Sequence, residues 1–184
     1  MTNEEKMLAS LWYDATDSVL VKKRNDAAVL VWELQQISPA DTGNRNRLLQ
    51  KLFPYLGKNV TLLQPLAVDY GTYTHIGDES FINYGAYFMD GGGIRIGRHC
   101  FMGPRCSLYT AVHPLDSGTR NKGLEQALPI TIGDNVWIGG DVTILPGVTI
   151  GDGTVIGAKS LVTKDIPAHV LAVGNPCVMV KPIR

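Results

Sequence analysis

No stretch of the 184 residues stays apolar for the length that a membrane span requires, and net charge is missing as well: seventeen Lys and Arg offset seventeen Asp and Glu. The first absence excludes an ordinary transmembrane helix. The second removes the electrostatic basis for broad nucleic-acid binding, which rests on phosphate neutralisation, and for docking on an anionic membrane surface. Cysteine is scarce. Cys100, Cys106 and Cys177 are an odd number with no zinc-finger spacing, which predicts reduced structural thiols. The opening run Met1-Thr2-Asn3-Glu4-Glu5-Lys6 lacks both the basic and the apolar region of a secretory leader, which predicts a cytoplasmic location. Hydrophobic residues make up 45% of the chain, enough for a folded domain with its own core.

The strongest positive signal is a repeat. An aliphatic residue returns at every sixth position through Ile132, Ile138, Ile144, Ile150, Ile156 and Val162, and most are followed by a glycine: Gly133, Gly139, Gly151, Gly157. An earlier run, Ile76, Ile82, Phe88, Ile94, has the same period, slips by two and resumes at Ile96, Met102 and Leu108. A period of six matches neither a helix at 3.6 nor a simple alternating strand. It matches short flat strands joined by tight turns, with one aliphatic per strand aimed at a common axis.

Residues 1–57 do not repeat. Ser18 to Ile37 reads as a helix with Leu20, Ala27, Val31 and Leu34 on one stripe, and Ser38-Pro39-Ala40-Asp41 breaks it. Thr42 to Leu56 reads as a second helix closed by Gly57. Such helices would cover the first coil, whose open end otherwise exposes strand edges and apolar surface. The expected organisation is a helical cap over 1–57, a solenoid over 58–175 that starts with an irregular coil, and a tail over 176–184. Within the solenoid the hexads lapse from about 109 to 128, which reads as a loop ejected from the coil.

Four histidines are candidates for chemistry. His75 and His99 lie within four residues of a repeat aliphatic and His169 follows the last clear hexad, so structural or surface roles suit all three. His113 stands at the root of the ejected loop, and position alone divides it evenly between a catalytic and a merely solvated role.

The repeat resembles that of the hexapeptide-repeat acyltransferases, which implies an all-β solenoid: a left-handed parallel β-helix with a small N-terminal α-helical cap and one ejected loop. The hand is implied by the resemblance alone, because it runs against the right-handed rule for parallel crossovers. Further segments are similar to the maltose, galactoside and nodulation-factor O-acetyltransferase branch: Trp12-Tyr13-Asp14-Ala15, Val68-Asp69-Tyr70-Gly71, Ile82-Asn83-Tyr84-Gly85, His113-Pro114, Pro129 to Gly139, Ile144 to Gly151, and Val162-Thr163-Lys164-Asp165-Ile166-Pro167. The likeness covers nearly the whole chain. It implies an acetyl-CoA-dependent O-acetyltransferase acting on a hydroxyl of a small sugar, maltose- or glucose-like or galactoside-like. It also implies a homotrimer with no required metal.

In that branch the histidine matching His113 is the general base. The chemistry agrees: a sugar hydroxyl is a poor nucleophile, histidine titrates near neutrality and can accept its proton, and the thioester is already activated. The asparagine matching Asn83 lines the acceptor site and can donate to the substrate, although an asparagine there is equally a common turn residue. Acceptor binding maps onto Asp14, Asp69 and Asn83, since carboxylates accept hydrogen bonds from vicinal hydroxyls. Asp90 is retained from the family pattern, but the acid that galactoside-type relatives place next is Gly91 here. Arg24 is a further polar candidate, equally explained as a solvated helix residue. Coenzyme binding maps onto Gly140, Ala158, Thr163 and Lys164, with Trp137 either a wall of the site or a subunit contact. Where relatives place arginines for the phosphates, this chain has Val178 and Lys181, with Arg184 at its end.

Three rivals bear on the same residues. A γ-carbonic-anhydrase-like metal enzyme needs three convergent histidines, two of them close in sequence, and the nearest pair here, His99 and His113, is fourteen residues apart. An amine, amino acid or antibiotic acceptor would use the same base and groove. A non-catalytic β-helix trimer would leave His113 and Asn83 without a purpose.

Overall fold

The computed structural model describes residues 1–183; Arg184 lies outside them. The chain winds into a left-handed parallel β-helix of triangular section. The first face carries Tyr55–Leu56, Thr74–Ile76, Ile94–Ile96, Ile130–Ile132 and Thr149–Ile150. The second carries Thr61–Leu62, Phe81–Ile82, Phe101–Met102, Trp137–Ile138, Val155–Ile156 and Val170–Val173. The third carries Ala67–Val68, Tyr87–Met89, Ser107–Tyr109, Thr143–Ile144 and Leu161–Val162.

Strands this short place one side chain inward and one outward, so each face stacks its inward residues into a column. On the third face Phe88, Leu108, Ile144 and Val162 are successive partners, each 0% exposed. Each such burial is worth roughly 1.5–3 kcal/mol, and the columns form one continuous core along the axis. The turns have their own signature. Between the first and second faces one residue per coil is left-handed: Asn59, Glu79, His99, Asn135, Gly153 and His169, with φ between 53° and 63°. Asn and His tolerate that region better than most residues, which accounts for His99 and His169 as exposed turn residues. His75 points outward from the first face and stacks on Tyr55.

Three helices form the cap. α1 (Asn3–Leu8), which the periodicity did not predict, opens with a capping box between Thr2 and Glu5. α2 (Ser18–Gln35) begins where the Asp17 carboxylate accepts from Val19 N at 2.9 Å, and it buries Leu20, Ala27 and Leu34 in one line. α3 (Thr42–Leu52) ends four residues before the expected Leu56. The cause is Pro54, which disfavours the helical region for the preceding residue: Phe53 adopts φ −120°, ψ 83°. Phe53 is 0% exposed and meets Phe88 edge-on at 6.1 Å, plugging the open end of the coil. Tyr55–Leu56 is therefore the first strand of the solenoid, and Gly57 follows a strand instead of closing a helix.

The tail turns back as a strand, Val178–Pro182, antiparallel to Val170–Val173 on the second face. The ejected segment is ordered too. Ala111–Val112 pairs antiparallel with Leu124–Ala127, which pairs in turn with Tyr13–Asp14 ahead of α2, and a short helix, α4 (Ser117–Arg120), closes the tip. Among the described residues no helix is long and apolar enough to cross a membrane.

Candidate active site

The two-residue slip in the hexads has a location. Leu56, Ile76 and Ile96 are register partners twenty residues apart, whereas Ile132 and Ile150 are eighteen apart. The extra residues fall at one edge, between the third face and the first, as Asp69 to Tyr73 and Asp90 to Gly93. The ejected segment leaves from that same edge. Its return strand runs against Gly92, where an added Cβ would stand 2.8 Å from the Leu128 backbone.

Asp90 organises this edge. It is 0% exposed and accepts from Tyr70 N at 2.8 Å, Tyr73 N at 3.2 Å and the Thr74 hydroxyl at 3.0 Å. Burial pushes its carboxyl up to about 6 despite those donors. Asp90, which its match to the family pattern places among the acceptor-binding candidates, is thus buried in the widened turn with both oxygens hydrogen-bonded. Arg24 is engaged at the same edge. Its guanidinium donates to the Tyr70 hydroxyl and to Ala15 O, both at 2.7 Å, and lies over the Tyr70 ring, bracing α2 against the edge.

The antiparallel pairing of Tyr13–Asp14 with Leu124–Ala127 builds the rest. Tyr13 is opposite Glu125, and its hydroxyl donates to Glu125 Oε1. Glu125 Oε2 faces the Nε2 of His113 at 3.7 Å. The imidazole is open to solvent, with 58% of its side-chain surface exposed, while the carboxylate is at 19%. Burial, then the bond to Glu125, holds the Tyr13 hydroxyl strongly on the protonated side. Asp14 Oδ1 accepts from the Thr16 hydroxyl and N–H at 2.7 and 2.8 Å, which lowers its carboxyl from the usual range. Asp69 accepts from the Tyr87 hydroxyl at 2.7 Å; burial raises its carboxyl, the Tyr87 bond opposes that rise, and the charge of Glu125 adds to it. One edge of the prism thus gathers a solvent-facing imidazole, a carboxylate beside it and two further acidic groups, a set suited to accepting hydrogen bonds from hydroxyls.

The remaining candidates lie elsewhere on the chain. Asn83 follows Phe81–Ile82 and so sits on the edge between the second and third faces, with Gly140 and Ala158 on the same edge. Asn83 Oδ1 accepts from Tyr84 N at 2.8 Å, which leaves the NH₂ end to meet a ligand. Thr163 and Lys164 follow Leu161–Val162 on the edge of His113, further along the axis. Trp137 is 58% exposed on the second face, and Lys181 lies on the antiparallel strand added to it. Within one chain, then, Asp14, Asp69 and His113 come together and Asn83, Gly140 and Ala158 do not join them. Glu125 and Tyr87 were missed by sequence reasoning. Glu125 reaches the site through an antiparallel pairing with a segment 112 residues away, and the one clue was that it shares the ejected segment with His113. Among the described residues no three His, Cys, Asp or Glu side chains converge as metal donors.

A β-helix coiled from hexads, with a helical cap and a histidine on a segment leaving one edge, defines the hexapeptide-repeat acetyltransferases. The matching family profiles are the bacterial transferase hexapeptide (six repeats) over residues 129–164 and the maltose acetyltransferase hexapeptide capping motif over residues 6–57. A maltose O-acetyltransferase from Clostridium difficile 630 superposes with a TM-score of 0.98 at 44% identity, over 100% of this chain and 98% of that one. A galactoside acetyltransferase solved in complex with coenzyme A superposes at 0.96 with 36% identity, over 100% and 92% of the two chains. A Staphylococcus aureus relative, provisionally named an acetyltransferase, is 51% identical over 100% of this chain and 92% of its own length. The chain belongs to this family, and within it to the maltose and galactoside O-acetyltransferase type.

Proposed function

We propose that the protein transfers the acetyl group of acetyl-CoA directly to a hydroxyl of a small sugar, with His113 as general base. The observation that carries this reading is the His113–Glu125 pair set at a solvent-facing edge beside Asp14 and Asp69. The structures of related enzymes with acetyl-CoA from Vibrio cholerae and with coenzyme A support the choice of donor. In the reaction His113 takes the hydroxyl proton as the oxygen attacks the thioester carbon. The tetrahedral intermediate then collapses, the C–S bond breaks, and the thiolate leaves with the proton returned from the imidazolium. Asp14 and Asp69 hold neighbouring hydroxyls, and the Asn83 amide donates a hydrogen bond to the substrate.

Asn83 and His113 occupy different edges of one prism, so a shared site requires two copies. We propose a closed homotrimer in which the edge carrying Asn83, Gly140 and Ala158 meets the neighbour's edge carrying the catalytic histidine, Thr163 and Lys164, leaving a coenzyme groove between them. The second face supports this. Phe81, Phe101, Trp137, Val155 and Leu171 are consecutive register partners pointing outward, and Phe101 and Trp137 are 55% and 58% exposed in the single chain. A cyclic assembly buries that stripe without leaving an open end. Lys164 and Lys181 would then face the coenzyme phosphates. The cytoplasm suits the three buried free thiols. The test is a panel of mono- and disaccharide acceptors assayed with acetyl-CoA, alongside light scattering at micromolar concentration. A trimer that acetylates a sugar hydroxyl is expected; a monomer, or transfer to amines alone, refutes the reading.

A further inference from the structure

Away from the acetyl-transfer edge, the outward residues of the first face form a ladder of a different kind. Tyr55, His75 and Arg95 are successive register partners. Adjacent rungs put the Tyr55 and His75 rings 4.1 Å apart and nearly parallel, at 6°, and the Arg95 side chain follows on the next rung. α2 and α3 overhang this ladder and enclose with it a cavity of about 810 Å³, in the range of small-molecule sites. Its apolar lining includes Leu8, Leu30, Leu52 and Ile94. The cavity backs onto the catalytic edge through Tyr70 and Gly92, but His113, Glu125, Asp14 and Asp69 are absent from its lining.

The charges around it do not cancel. Lys23 is paired with Glu4 at 2.5 Å, and Asp26 is taken by Lys22 at 2.6 Å. Lys51 and Arg95, both exposed and both lining the cavity, have no carboxylate within ion-pair distance among the described residues. The surface therefore combines an open aromatic ring face (Tyr55 is 57% exposed), an apolar wall and two uncompensated cations, one of them a guanidinium with a planar fork. Burial, and then the charge of Arg95, lower the titration of His75, so the empty site favours a neutral imidazole that adds stacking surface without further charge.

We propose that this cavity binds a small planar aromatic anion, its ring laid against the Tyr55–His75 stack and its acid group held by Lys51 and Arg95. Aromatic stacking and a charge-assisted bond to an acid group each need a partner that lines this cavity: the rings of Tyr55 and His75, and the cations of Arg95, on the rung after His75, and Lys51. A neutral ligand of the same shape would leave both cations unpaired, and a flexible aliphatic anion would forgo the ring face.

The test uses the full chain with acetyl-CoA at saturation, so that the coenzyme groove is occupied, and titrates 2-naphthoate by calorimetry with neutral 2-naphthamide as control. Saturable one-site binding is expected, at least tenfold weaker for the amide. It should also be at least tenfold weaker in the Lys51→Gln/Arg95→Gln double variant, whose changes lie at exposed positions and should leave acetyl transfer intact. Tyr55→Leu, which removes the ring and keeps both cations, should weaken the naphthoate by a comparable factor. In proton NMR the His75 resonance should titrate at higher pH with naphthoate bound, since an anion then offsets Arg95. Absence of saturable binding at millimolar naphthoate, equal binding of the amide, or unchanged binding by the double variant overturns the proposal.

Discussion

The Nε2 of His113 stands 3.7 Å from Oε2 of Glu125, and the other oxygen of that carboxylate is taken by the Tyr13 hydroxyl. At this distance the first contact is an electrostatic one, tightened by protonation of the ring. The second fixes where the carboxylate stands. A histidine on a solvent-exposed segment thereby gains an anionic partner anchored from the far end of the chain, a counter-charge for the imidazolium that the proposed mechanism forms.

If His113 deprotonates the acceptor, His113→Ala should lower kcat by on the order of a hundredfold or more. The KM for acetyl-CoA should change little, and the acid limb of the kcat/KM profile should disappear. A variant that keeps most of its kcat on the best sugar acceptor refutes the mechanism.

Glu125→Gln keeps the shape of the side chain and removes its charge. A kcat loss of roughly tenfold is expected, smaller than for loss of the base because the pair is partly solvent-screened. Tyr13→Phe should act in the same direction by releasing the carboxylate. Unaltered kcat with a lowered melting temperature would make Glu125 a purely structural residue.

Lys164→Glu inverts a charge proposed to face phosphate. The KM for acetyl-CoA should rise far more than that for the sugar. Equal effects on the two, measured by varying each substrate at saturation of the other, would remove Lys164 from the coenzyme groove.

Asp90 should give the fold a pH signature. Its carboxyl is held up to about 6 when folded, against about 3.9 in an unfolded chain. Between those values the folded state binds more protons than the unfolded one, so this group's contribution to stability falls as pH rises from about 4 to about 6 and is level above that. Asp90→Asn should abolish that slope. It should also cost about 1–3 kcal/mol at acid pH, where the wild-type carboxyl is protonated, because an NH₂ would confront the donors of Tyr73 or Tyr70, and that cost should shrink as pH rises toward 6. Urea unfolding at intervals from acid to neutral pH reads both effects; identical pH slopes in the two proteins would contradict the assignment.

Much of the fold was legible in the primary structure because a period of six survives in any strand that repeats its inward residue. Ile132 to Val162 occupy the core columns their spacing implies, and the slip at Ile94–Ile96 marks the widened edge where Asp90 sits. The end of α3 could have been read from Pro54, but helical propensity across Thr42 to Leu52 masked it. The strand formed by Val178–Pro182 had no periodic neighbour to reveal its pairing.

The candidate site divides the same way. Sequence and family likeness determined the class of fold, the helical cap and the histidine on the ejected segment, because each depends on local pattern or matching motifs. The partnership of His113 with Glu125, the burial of Asp90 and the separation of Asn83 from His113 depend on which residues the coil brings to one edge. That is decided by antiparallel pairing between the N-terminal segment and a return strand more than a hundred residues later, and by turn lengths that put neighbours in sequence on different faces. Local periodicity carries no information about either, so only the tertiary structure could decide them.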